Sequence, residues 1–206
     1  MKKLSVIAVL SFLMGTVAFG QDFNLGIKGG VAANWMPGTV IDGFDRPNTN
    51  VGFYGGITGA LEFDGSFFVQ VEALYARKGI STNSDASGKF SRNVPYIQLP
   101  LLAGFKLSDD RFRIMVGPEF GFNIGDNIKS DTSLVDLSLY GKPAPFNLAL
   151  AIQTTYLIAG NLGVDVKFDY GLTKTFRLPD NPTSALIKEN GRNMSLQIGL
   201  CYIFGD

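Results

Sequence analysis

The chain has 206 residues, with 18 lysines and arginines against 18 aspartates and glutamates and no histidine, so its formal net charge is zero. Balanced charge without a basic patch or an acidic tail gives no footing for nucleic acid or a polycationic partner. One cysteine, Cys201, cannot form an internal disulfide, and the lack of histidine removes both a histidine-containing metal site and the side chain that titrates near neutrality.

Residues 1–20 open on Lys2 and Lys3, continue as an apolar stretch from Leu4 to Val17 and finish on Ala18, Phe19 and Gly20. A basic start, a short apolar middle and small residues at the cut predict a cleaved secretory signal peptide, and the apolar run is short for a bilayer-spanning helix. No cysteine lies near the cut, which argues against a lipid-anchored N-terminus. Residues 21–206 then form the exported domain, long enough for one domain and too short for two of ordinary size.

From there, apolar side chains alternate with small or polar ones in eight runs, at 23–34, 51–63, 67–78, 94–107, 111–124, 145–158, 162–173 and 193–204. The last run carries Leu196, Ile198, Leu200, Tyr202 and Phe204 on one parity and Ser195, Gln197, Gly199 and Cys201 on the other. Successive strand side chains point to opposite faces, so each run is a strand with one greasy and one mixed face. About eleven residues tilted near 45° rise roughly 25 Å, the height of an outer-membrane apolar band.

The connections alternate between short and long. The short ones are Asp64-Gly65-Ser66, Ser108-Asp109-Asp110 and Ala159-Gly160-Asn161, all hairpin chemistry, and the long ones span 35–50, 79–93, 125–144 and 174–192. With the N-terminus in the periplasm, every long connection falls outside the cell. Aromatic residues mark both ends of the runs: Phe23, Phe63, Phe67, Phe105, Phe112, Tyr156, Tyr202 and Phe204 at the short turns, Tyr75, Phe120, Phe122, Phe146 and Tyr170 opposite, and Trp35 just past the first run. Such belts form where a lipid band meets water.

These features predict an all-β, eight-stranded antiparallel up-and-down transmembrane β-barrel with its apolar parity turned to lipid. The competing reading is an exported soluble barrel that turns the same parity inward around a hydrophobic ligand. Pro100 and Pro118 sit inside neighbouring strands, where a missing N–H predicts a bulge or a local opening. The glycines crowding the first two strands read as tight curvature in a narrow barrel, with a ligand cradle as the alternative; a phosphate cradle would need a helix to follow.

Several segments resemble the PorT-like outer-membrane β-barrel family of Gram-negative bacteria. They are Gly26-Ile27-Lys28-Gly29-Gly30, the stretch from Gln70 to Gly79, Tyr96-Ile97-Gln98-Leu99-Pro100-Leu101-Leu102, Gly117-Pro118-Glu119-Phe120-Gly121 and Phe168-Asp169-Tyr170-Gly171-Leu172. The resemblance spans residues 21–206 and implies architecture more than activity. It also implies a second role to weigh, as an accessory of a protein secretion machine.

In an eight-stranded barrel side chains fill the interior. The inward parity holds Lys28, Lys78, Lys106, Arg113 and Lys167 against Glu62, Glu72, Glu119, Asp165 and Asp169. Interleaved charges offset one another's desolvation, so this set predicts a salt-bridged plug, with a gated ion path as the alternative. Small barrel enzymes that resemble this architecture use a histidine, and this chain has none, so no catalytic residue, metal or cofactor is assigned.

Function is then expected at the long connections, where Trp35, Met36, Phe44, Leu137, Leu139, Tyr140 and Leu186 are apolar groups that could dock a partner or cap the barrel. Residues 184–189 read as a short helical turn, and 134–140 as strand continuing above the membrane. Phe204 resembles the terminal aromatic of the insertion signal. The expected partners are therefore outer-membrane lipid, the barrel-insertion machinery during biogenesis, and an extracellular or secretion-machine protein.

Overall fold

The computed structural model describes residues 22–38, 40–41, 49–63, 66–84, 88–107, 111–130, 142–177, 187–189 and 191–204. Among them the strands are β1 (Asp22–Trp35), β2 (Val40–Ile41), β3 (Asn50–Glu62), β4 (Phe67–Ser84), β5 (Gly88–Leu107), β6 (Phe112–Asn123), β7 (Asn127–Ser130), β8 (Lys142–Pro143), β9 (Phe146–Ala159), β10 (Leu162–Lys174), β11 (Phe176–Arg177), β12 (Ile187–Glu189) and β13 (Arg192–Phe204). Eight long strands pair antiparallel in the order β4-β3-β1-β13-β10-β9-β6-β5, and β5 pairs back onto β4. The chain therefore runs up and down around a closed barrel. Its first and last strands form the seam, in register from Leu25 opposite Phe204 to Trp35 opposite Met194.

Alternation decides the two faces. Leu101 is 44% exposed on the outside, whereas Leu102, one residue on, is fully buried in the lumen. Leu25, Ile27 and Val31 on β1, Ile114 and Val116 on β6, and Ile198 and Leu200 on β13 likewise point outward, while Lys28, Gln98, Gln153, Lys167 and Gln197 are buried inside. A soluble barrel around a hydrophobic ligand would have the opposite polarity, so that reading falls. No helix among the described residues is long and apolar enough to cross a membrane.

Aromatic rows ring both ends. At the short turns Phe67 lies between Phe63 and Phe105, with ring centroids 5.5 and 5.3 Å apart, and Phe204 meets Tyr202 edge-on at 5.3 Å. At the long-loop end Phe53 faces Tyr75 at 5.8 Å, and Phe146 meets Phe122 at 5.6 Å. Gly160 turns the β9–β10 hairpin at φ +52°, and a register shift follows between Leu162 and Gly163.

Three readings of the sequence are revised. The span 79–93 is largely not a loop, because β4 and β5 extend past the barrel as a hairpin to Ser84 opposite Gly88, and β7 joins β5 as a third strand. Paired strands satisfy each other's backbone groups without needing a buried face, so polar residues such as Ser81, Thr82 and Asn83 continue the ladder. Ile187–Glu189 is extended and pairs with Val40–Ile41 instead of forming a helical turn, as β-branched residues on both sides favour. Trp35 ends β1 and packs on the Phe168 ring at 6.2 Å, and Met36 is buried rather than exposed. Of the two outcomes expected at Pro100 and Pro118, the local opening is present and the bulge is not: the β4–β5 ladder breaks between Val71/Leu101 and Leu74/Gln98, and β5–β6 breaks between Pro100/Glu119 and Ala103/Val116, with register kept on both sides.

The outward apolar band makes a depth-dependent prediction. Leu101→Arg, near mid-band, lowers stability in phospholipid vesicles by about 2–4 kcal/mol, while Val51→Arg, near the end of β3, costs about 0–1 kcal/mol. Urea unfolding of the two variants measures the difference, and equal losses would contradict a hydrocarbon-facing band centred on Leu101.

Candidate functional site in the barrel lumen

The ten charged residues of the inward parity all lie within the barrel, on β1, β3, β4, β5, β6 and β10. Period-two geometry places them there: Asp165, Lys167 and Asp169 alternate in sign down one face of β10, all at most 1% exposed. They assemble in three groups.

Nearest the short turns, Glu62 of β3 pairs with Lys106 of β5 and stands 3.6 Å from Arg113 of β6, with Lys106 and Arg113 directly opposite across the strands. Close by, Ala60, Phe68, Leu102, Met115 and Ala151 form an apolar cluster, and the Arg113 guanidinium lies 5.6 Å over the Phe68 ring. In the second group Lys28 of β1 reaches Glu72 of β4 at 3.0 Å and Asp165 of β10 at 2.8 Å. Glu72 accepts from Gln70 at 2.7 Å and from Gln153 at 2.9 Å, while Asp165 accepts from Thr155 at 3.1 Å and from the Tyr54 hydroxyl at 3.4 Å. Tyr54 crosses the lumen over Gly199, where a Cβ would stand 2.6 Å from its hydroxyl oxygen and 2.2 Å from the Gly29 carbonyl. Only glycine leaves that path open.

The third group is a four-membered cycle. Glu119 pairs with Lys167 and, at 3.3 Å, with Lys78, while Asp169 lies 3.5 Å from Lys78 and 3.6 Å from Lys167. Gln98 donates to Glu119, and Gln197 donates to Asp169 at 3.1 Å and to the Gln98 carbonyl oxygen at 3.3 Å. Each ammonium thus faces carboxylates on two sides. That arrangement lets the Coulombic gain in a low-dielectric interior offset the desolvation of the ions.

Some lumen residues were invisible to the sequence reading. Arg92 is 1% exposed, grips Asp126 through two hydrogen bonds of 2.6 and 2.8 Å, and lies 4.8 Å over the Phe176 ring. These three residues fell in the expected long connections. The even parity of Gln98, Tyr96, Val94 and Arg92 was their signal, masked because Val94 breaks the polar pattern. Doublets such as Phe67-Phe68 and Leu101-Leu102 likewise announce an apolar residue inside, since two neighbours cannot share a face.

Of the apolar residues expected to meet a partner, Trp35 sits on the outer face, whereas Phe44, Leu137, Leu139, Tyr140 and Leu186 lie outside the described residues. So do residues 1–21. Phe204 ends β13 opposite Leu25, half exposed on the outer face. Cys201 is buried in the lumen wall, and no group of three or more acidic or cysteine side chains is placed to hold a metal ion among the described residues.

Known proteins share this architecture. The outer membrane protein beta-barrel domain family matches residues 19–177. Among solved structures the chain is similar to the outer membrane protein OprG from Pseudomonas aeruginosa, at 13% identity, covering 90% of this chain and 98% of that one with a TM-score of 0.54. It is also similar to Neisserial surface protein A, at 13% identity over 90% and 99% of the two chains and a TM-score of 0.47. The Escherichia coli Outer Membrane Protein W is 15% identical over 90% and 100%, with a TM-score of 0.42. At such identities the likeness is one of fold. No curated protein matches the sequence. The closed antiparallel barrel, its outward apolar band and the span of the family match together place this chain in the outer membrane protein beta-barrel domain family, as an integral outer-membrane barrel.

Proposed function

We propose that the protein is a non-catalytic barrel of a Gram-negative outer membrane, its lumen plugged by its own side chains and its role structural or surface-interacting. The observation that carries this reading is the series of ion pairs across the lumen, in which Lys28, Glu72, Lys78, Glu119, Asp165, Lys167 and Asp169 are each at most 5% exposed. Water-filled pores need free space across the lumen; here cations from β1, β4 and β10 meet carboxylates from β4, β6 and β10 across it. The Arg92–Asp126 pair beneath Phe176 supports closure toward the long-loop end.

The absence of histidine supports the non-catalytic part, since proton transfer near neutrality has no imidazole to use. Residues 1–20 support export, and Phe204 supports recognition by the barrel-insertion machinery. The long connections then face outside the cell, where an extracellular or secretion-machine protein is the partner. PorT-like motifs support the secretion-accessory form of that role.

Purified protein in a planar bilayer is expected to show no steady single-channel steps; such steps would refute the plug. Lys167→Met leaves Glu119 and Asp169 under-neutralised in a buried site and lowers stability by about 3–5 kcal/mol, measurable by urea unfolding in detergent. For the surface role, Leu137→Ser, Leu139→Ser and Tyr140→Ser combined are expected to abolish cross-linked partner recovery from intact cells. Should these residues cap the barrel instead, recovery stays unchanged and the triple variant unfolds at lower urea.

A further inference from the structure

Arg113 is a poorly satisfied buried cation. Its side chain is 8% exposed, its carboxylate neighbour Glu62 lies 3.6 Å away and is already held by Lys106, and neither Nε nor Nη1 has a hydrogen-bond partner. The neighbouring group is short of charge in the opposite sense, since Glu72 and Asp165 share the ammonium of Lys28. An excess positive charge and an excess negative one thus occupy adjacent levels of the lumen.

Between them lies a cavity of about 20 Å³ whose walls include Arg113, Lys28, Asp165, Thr58 and Gln153. Two further atoms there lack partners, Thr58 Oγ1 and Gln153 Oε1, on residues that are 8% and 1% exposed. The space fits one water, which needs roughly 10–15 Å³ and typically makes about three hydrogen bonds. Buried polar atoms are overwhelmingly hydrogen-bonded, so two guanidinium donors, a hydroxyl that can donate or accept and an amide oxygen around one such space call for a small dipolar occupant. Asp165 in the wall opposes an anion, and Lys28 and Arg113 oppose a cation.

We infer that this cavity is an ordered-water site, in which the water accepts from Arg113 and from the Thr58 hydroxyl and donates to Gln153 Oε1 and to Asp165 in the same wall. Through it the guanidinium is coupled to Asp165 across a gap that no direct hydrogen bond spans. The water then links the group with one excess positive charge to the group with one excess negative charge, so that Arg113 offsets the carboxylate that Lys28 leaves uncompensated. The site is independent of any surface partner.

Two measurements test the inference. In the isotope-labelled wild-type barrel in detergent micelles, the Arg113 Nε–H proton is expected to show an NMR cross-peak to a long-lived water; a missing water cross-peak overturns the site. A double-mutant cycle of Arg113→Met and Asp165→Asn, read by urea unfolding, is expected to give a coupling of at least fivefold in the unfolding equilibrium. Additivity within twofold overturns the coupling. If the variants do not fold, the wild-type spectrum alone decides.

Discussion

Closure of the hydrogen-bonded ladder is the constraint on which this structure rests. A strand edge facing hydrocarbon would leave a row of N–H and C=O groups without partners, each costing several kcal/mol, and only a helix or a closed sheet avoids this. Here β1 pairs with β3 on one side and β13 on the other, which leaves no free edge among the eight long strands. The same closure fixes the parity of every strand. Once the seam aligns Gly30 with Gly199, the greasy faces of all eight strands share one side of the wall and the charged faces the other, and the exposed side is the greasy one.

An interior built this way has to neutralise itself. Eight strands leave too little room for bulk water, so each inward charge must find its counter-charge on a different strand. Lys28 reaches carboxylates on β4 and β10, and Glu119 on β6 collects ammonium groups from β4 and β10. These pairs are distant in sequence and meet only because the wall curves. They therefore tie opposite walls together, and the amides of Gln70, Gln98, Gln153 and Gln197 donate further hydrogen bonds to Glu72, Glu119 and Asp169.

The two prolines illustrate how a closed wall tolerates local damage. Each removes a backbone donor, yet the ladders on either side of Pro100 resume in the same register. A one-residue slip would have turned every following side chain to the wrong face, which in this barrel means charges in hydrocarbon. Register is kept because the penalty for losing it is spread over the rest of the strand, while the opening is confined to a few residues.

Strand number, the inward or outward direction of Lys28, Gln98, Leu101 and Lys167, and the short hairpins were legible in the sequence, since a period of two encodes direction locally and needs no knowledge of partners. Pairing was not legible. That Lys28 meets Asp165, that Arg92 grips Asp126 beneath Phe176, and that β4 and β5 run on to Ser84 and Gly88 depend on curvature and on which strands become neighbours. Alternation is a property of one chain segment, whereas an ion pair across a lumen belongs to two segments joined only by the closed wall, and that is why the tertiary structure alone decided it.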